Sequence, residues 1–183
     1  MASRMIHVVF IAPFFIIAML LPIFSSANNI LIGSLAPPFK ITSGEKEVLT
    51  LDGIKGKVAV IFYEAKSAIE QNRKLKTALN MFYTKQSNQI KEDIIRIGVI
   101  NCKGVFFSGA WEEGLRDNSK KEGIKIYGDW DGKMLTDYRM KEEESNVIII
   151  DKKGIIRYYT SGKVGDKDIG MIEELLDRLV REN

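Results

Sequence analysis

Six consecutive residues, Val58-Ala-Val-Ile-Phe-Tyr63, form an almost continuous apolar run of strand length. A strand with one wet face alternates apolar and polar side chains, whereas a run apolar on both parities suits a central strand covered on both faces. Such a strand needs layers above and below it, and the rest of the chain offers them. Residues 67–83 carry Ile69, Leu75, Leu79 and Phe82 at helical spacing with charged residues between them, which predicts an amphipathic helix. A second apolar strand is predicted over 94–100, a helix over 110–122 closed by Gly123, and a short strand over 124–127.

The remaining pieces complete the pattern. Residues 146–150 and 155–160 read as strands joined by Asp151-Lys-Lys-Gly154, a hairpin signal. Residues 168–181 place Ile169, Ile172, Leu175, Leu176 and Leu179 on one face of a terminal helix. Upstream lie an extended lead-in over 28–39, which Pro37-Pro38 keeps from being helical, and a short strand over 48–51 before the turn Asp52-Gly53. Residues 128–132 are a turn by composition. Early strand-helix-strand units imply parallel pairing with right-handed crossovers, and the late hairpin adds an antiparallel edge. The expected class is α/β, a mixed central sheet flanked by helices in the thioredoxin-like arrangement.

The N-terminus has a different character. Arg4 is followed by an apolar run from Val8 to Phe24 and then by Ser25, Ser26 and Ala27. This is the three-part layout of a secretory signal peptide, with small residues at the positions before a cut at Asn28. An uncleaved anchor is the alternative, and Pro13 and Pro22 weaken it as a straight spanning helix. The expected organisation is a signal peptide over 1–27 and one domain over 28–183, exported to the periplasm. Cleavage removes 27 of the 183 residues and leaves 156, enough for one domain with a real core. With Arg4 gone, 26 basic residues face 24 acidic ones and the two signs interleave, so no electrostatic footprint for nucleic acid is present.

Two absences exclude whole classes of chemistry. The only histidine, His7, lies in the signal segment, which removes Ser-His-Asp and Cys-His catalysis and any His-ligated metal from the exported chain. The only cysteine is Cys102, so no internal disulfide can form. Its place just after an apolar strand predicts burial as a small apolar residue.

The segment Gly33-Ser-Leu-Ala-Pro-Pro-Phe39, the stretch from Leu51 to Phe62 and the hairpin Val147-Ile-Ile-Ile-Asp-Lys-Lys-Gly154 resemble the redoxin branch of thioredoxin-like proteins. In that branch a Cys-x-x-Cys pair follows the first core strand; here those positions read Ser67-Ala-Ile-Glu70. A cis-proline commonly stands six residues before the hairpin aspartate; here that place holds Ser145. A closer likeness shares both departures. The pieces Ala65-Lys-Ser-Ala-Ile-Glu-Gln-Asn72, Val99-Ile-Asn101, Phe107-Ser-Gly109 and the stretch from Glu142 to Gly154 resemble the YtfJ family of bacterial periplasmic proteins. That resemblance implies a signal peptide, a periplasmic address and a thioredoxin-like fold, and it implies no particular chemistry.

Ser67 and Glu70 match a capping box, in which each side chain satisfies a backbone N–H of the other, worth on the order of 1 kcal/mol. The competing reading makes Ser67 a nucleophile at a positive helix end, but serine lacks thiolate chemistry and no histidine is available as base. Lys66 could serve as a base only if two adjacent side chains at a turn pointed together. Glu64, Lys66, Ser67 and Glu70 nevertheless belong to the end of the domain that also receives Glu144 and Ser145, and ligands gather at the carboxyl ends of such strands, so these six residues form the candidate binding region. Asp129 and Asp131 are two carboxylates at short spacing, but the remaining ligands of a calcium loop do not follow. No metal or cofactor is expected.

Three functions are consistent with these residues. The first is a non-catalytic module that binds an unidentified periplasmic protein or small ligand. The second is a thiol oxidoreductase or peroxidase working through Cys102 alone, although that residue lies beyond the second core strand and not at a helix N-terminus that would lower its pKa. A serine-lysine hydrolase ranks last, because it needs an oxyanion hole that the sequence does not place.

Overall fold

The computed structural model describes residues 32–182; the expected signal peptide over 1–27 and its expected cleavage site lie outside the described residues. The apolar run becomes β3 (Val58–Glu64), buried at every position. It pairs in parallel with β4 (Ile94–Asn101) on one side and antiparallel with β6 (Ser145–Ile150) on the other. Beyond β4 come β5 (Ile126–Asp129), then β1 (Lys40–Ser43) and β2 (Val48–Thr50), while β7 (Ile156–Ser161) closes the other edge. The seven-stranded order is β2-β1-β5-β4-β3-β6-β7, with β3, β4 and β5 parallel and every other pairing antiparallel.

The two parities of β3 feed two cores, as a strand covered on both faces requires. Val58, Val60 and Phe62 pack under α1 (Arg73–Lys85) and α5 (Asp166–Arg181), where α1 buries Leu75 and Leu79 and α5 buries Ile169, Ile172, Leu176, Leu179 and Val180. Ala59, Ile61 and Tyr63 face the other layer, formed by the lead-in with Phe39, by Ile54, and by α4 (Lys133–Asp137) with Met134 and Leu135. The third long helix, α3 (Ser108–Glu122), lies beside α1 on the first face and buries only Leu115; it ends on Gly123, whose φ of 65° takes the left-handed cap. A short α2 (Asn88–Glu92) joins α1 to β4.

Several expected boundaries move. The strand expected over 124–127 runs as Ile126–Asp129, so Gly128 and Asp129 belong to β5 and not to the turn that composition suggested. The strand β1 and the helices α2 and α4 were not expected; each has five residues or fewer, too short to show a period.

The largest correction concerns the start of α1. The capping box at Ser67 and Glu70 is not formed. Residues Lys66–Ala68 make a 3-10 turn, and the α-helix begins only at Arg73. The Arg73 guanidinium draws the Glu70 carboxylate outward through two bonds, at 2.9 Å from Nε and 2.5 Å from a terminal nitrogen. A charge-assisted pair of this kind outcompetes a single bond to a backbone N–H.

Candidate functional site

The carboxyl end of β3 terminates in Glu64, a charged residue 4% exposed. A carboxylate buried at the end of an apolar strand must find partners. The antiparallel register sets Ser145 opposite it, and the Ser145 hydroxyl donates to Glu64 Oε1 at 2.8 Å. On the other side Lys76, on the first turn of α1, donates to Oε2 at 2.7 Å and to the Ile69 carbonyl at 2.8 Å. Burial pushes the Glu64 carboxyl above its ordinary range, and Lys76, Ser145 and Arg73 oppose that push without cancelling it.

Asn72, 2% exposed, ties the knot together. Its Nδ2 donates to Ser145 Oγ at 3.0 Å and to the Gly162 carbonyl at 2.9 Å, while its Oδ1 accepts from Val164 N–H at 2.8 Å. The Ser145 N–H donates to Gln71 Oε1 at 2.8 Å. Four elements thus meet in one buried polar cluster: the end of β3, the approach to α1, the start of β6 and the chain between β7 and α5. The neighbouring Asn146 organises the loop before β6, donating to the carbonyls of Lys141, Glu144 and Tyr63 and accepting from Lys141 N–H and Ser161 Oγ. No cis peptide bond occurs among the described residues.

The candidate region therefore divides. Glu64 and Ser145 are inside, bonded to each other. Lys66 and Ser67 are exposed on a shallow depression shared with Ala65, Asn101, Lys103, Glu142 and Glu143, where the Ser67 hydroxyl reaches Glu143 at 3.4 Å. Glu70 points away, and its hydrogen bond to Arg73 holds the carboxyl below its usual range. Glu144 lies between, 3.5 Å from Lys141, with its other oxygen buried without a hydrogen bond. Lys66 Nζ stands 5.7 Å from the Trp111 ring centre and has no contact with Ser67 that would make it a base.

Asn72, Gln71 and Lys76 were missed from the sequence. The available signal was Glu64 itself: a carboxylate closing a buried strand calls for a cation, and Lys76 and Arg73 sit on the helix that follows.

Cys102 is 1% exposed, as its position suggested. Its sulfur packs against the bare Cα of Gly128, where a Cβ would stand 3.0 Å from Sγ and 2.9 Å from the Trp130 indole nitrogen. Burial, reinforced by the charge of Asp129, pushes the thiol up to about 12. Asp129 is fully buried; its Oδ2 accepts from the Tyr63 hydroxyl at 3.0 Å and from Leu135 N–H at 3.2 Å, and burial raises its carboxyl. Among the described residues no cluster of three or more His, Cys, Asp or Glu side chains is placed to hold a metal.

Comparison with solved structures identifies the fold. The thioredoxin domain of a thiol-disulfide oxidoreductase from Bacteroides vulgatus superimposes with a TM-score of 0.58 at 16% identity, covering 81% of this chain and 99% of that one. An uncharacterized conserved protein from Geobacillus kaustophilus gives 0.63 at 15% identity over 84% of each chain. The exposed lipoprotein thioredoxin of Streptococcus pneumoniae gives 0.55 at 16% identity, over 78% of this chain and all of that one. At these identities the likeness establishes a thioredoxin-like fold. No curated protein matches the chain. The family model described as a bacterial protein of unknown function, YtfJ_HI0045, matches residues 48–179, from β2 to the last turn of α5, and the chain belongs to that family.

Proposed function

We propose that this protein is exported to the periplasm and works there as a binding module that keeps a thioredoxin-like fold without dithiol chemistry. The observation that carries the reading is the state of the single thiol. Thiol-disulfide exchange needs a thiolate able to attack, and usually a second thiol to resolve the mixed disulfide. Cys102 is buried against Gly128 with its pKa raised, and the positions where redoxins hold their pair are Ser67 and Glu70. Glu64, Ser145 and Asn72 spend their hydrogen-bonding capacity within the fold, on one another and on Lys76, Gly162 and Val164, which supports a role in shaping this end of the domain. The periplasmic address is supported by the N-terminal Arg4, apolar run and Ser-Ser-Ala sequence, and by a structural neighbour named as an exposed lipoprotein.

The alternative, an oxidoreductase or peroxidase working through Cys102, would require that residue to emerge from its packing. Native mass spectrometry of the protein recovered from the periplasm tests the binding reading. A mature chain starting near Asn28 that carries a stoichiometric small molecule or protein supports it. Recovery of the intact chain in membranes contradicts the export half, and recovery of a mixed disulfide at Cys102 contradicts the non-catalytic half.

A further inference from the structure

On the face of the sheet that carries α1 and α3, the two helices do not close over the strands. Between them lies a cavity of about 520 Å³, open on one side, floored by β3, β4 and β5 and walled by the two helices. This is within the range of small-molecule sites, about 300–1,000 Å³. Two glycines help to make the space. Gly98 lets the Ile126 side chain lie down on the floor, where a Cβ would stand 3.2 Å from it, and a Cβ on Gly114 of α3 would meet nothing within 4 Å. Most of the lining is apolar, including Val60, Phe62, Ile126, Leu115 and Trp111.

The charges around the cavity do not balance. Lys76 is matched by Glu64, and Arg73 by Glu70 and Glu122. Arg96 has no carboxylate among the described residues. It is half-buried on the cavity floor, its guanidinium lies 4.0 Å from the Tyr83 ring centre, and its one hydrogen bond goes to the neutral Asn80 Oδ1 at 2.7 Å. Lys66, over Trp111, is the other lining cation without an acid. A planar guanidinium with free N–H groups at one end of an apolar channel matches a carboxylate, which it can bind through two parallel bonds. Arg96 and Ile100 project from the same face of β4 four residues apart, so the floor runs roughly 13 Å along the strand from position 96 to position 100, which pairs with Glu64.

We propose that this cavity binds a long-chain monocarboxylate, with the carboxylate on Arg96 and the hydrocarbon chain along β3, β4 and β5 beneath α1 and α3. The proposal rests on the binding reading above and names its ligand class.

The test is a calorimetric titration of the full chain, purified as the cell leaves it, with dodecanoate, dodecanol and butyrate. Dodecanoate should bind at one site, about tenfold or more tighter than dodecanol, because the alcohol leaves the guanidinium unpaired. Butyrate, with the head group but no chain to bury, should not bind measurably. Arg96→Gln should weaken dodecanoate to the level of dodecanol, and Gly114→Leu, which projects into the space from a helix that tolerates leucine, should abolish both. Equal affinity for acid and alcohol, no saturable binding of either, or full binding by Gly114→Leu overturns the proposal. The parent reading fails separately, through disulfide reduction that depends on Cys102.

Discussion

Replacing Asn72 by alanine isolates what the buried cluster contributes. The side chain makes three hydrogen bonds, at 3.0, 2.9 and 2.8 Å, to Ser145 Oγ, the Gly162 carbonyl and the Val164 N–H. Truncation leaves two backbone groups unpaired, each costing about 1–3 kcal/mol, whereas Ser145 keeps its bond to Glu64 and loses less. The expected loss is about 3–5 kcal/mol, a large part of the roughly 5–15 kcal/mol that holds a typical domain folded. In urea, with a slope of about 1.5 kcal/mol per molar, the midpoint should fall by about 2–3 M with no change in slope. Asn72→Asp keeps the acceptor for Val164 but loses both donated bonds and sets a second carboxylate beside the Ser145–Glu64 pair. It should be at least as unstable near neutral pH and recover on acidification. A double-mutant cycle with Ser145→Ala should show coupling of about 1 kcal/mol. A loss below about 1 kcal/mol for Asn72→Ala would refute the reasoning, since it would mean that water satisfies these groups as well as the asparagine does.

Lys76→Met strands the Glu64 carboxylate, 4% exposed, without its cation, and should cost about 3–5 kcal/mol near neutral pH. Its carboxyl is then pushed further up, so the loss should shrink as Glu64 is protonated on acidification, as urea melts at pH 5 and pH 8 would show. In the β6–β7 hairpin, burial pushes the Asp151 carboxyl up, but the N–H groups of Ile155 and Lys153 and the Arg157 guanidinium hold it below the usual range. The stability this contributes is present above the unfolded pKa of about 3.9 and is lost as pH falls through the lower folded value. Asp151→Asn should therefore cost about 2 kcal/mol at pH 7 and flatten the acid limb between about pH 2 and 5, read from melting temperatures across that range. Cys102 should react with a chromogenic disulfide reagent at least about a hundredfold more slowly in the folded protein than in urea, and rapid labelling of folded protein would contradict its packing.

The fold was legible where one physical term dominated. The two-sided apolar run of β3, the five-residue stripe of α5 and the Asp-Lys-Lys-Gly turn each have a single structural solution, and each is found within two residues of its expected place. The start of α1 was misread because Ser67 and Glu70 satisfy a local rule while Arg73, three residues further on, offers Glu70 a stronger partner. The buried cluster was only half legible. Glu64 ends β3 and Ser145 starts the antiparallel β6 beside it, so topology brings them together. Asn72 reaches Ser145 and Gly162 across 73 and 90 positions, and no local pattern carries that information. The unpaired state of Arg96 is likewise a property of packing, visible only once the carboxylates around it are seen to be taken by other cations.

The most direct measurement is the time course of insulin reduction by dithiothreitol with and without the protein, repeated with Cys102→Ser. A binding module predicts curves that overlie the uncatalysed reaction for both forms. Faster reduction by the wild type that disappears in the Cys102→Ser variant would contradict the account.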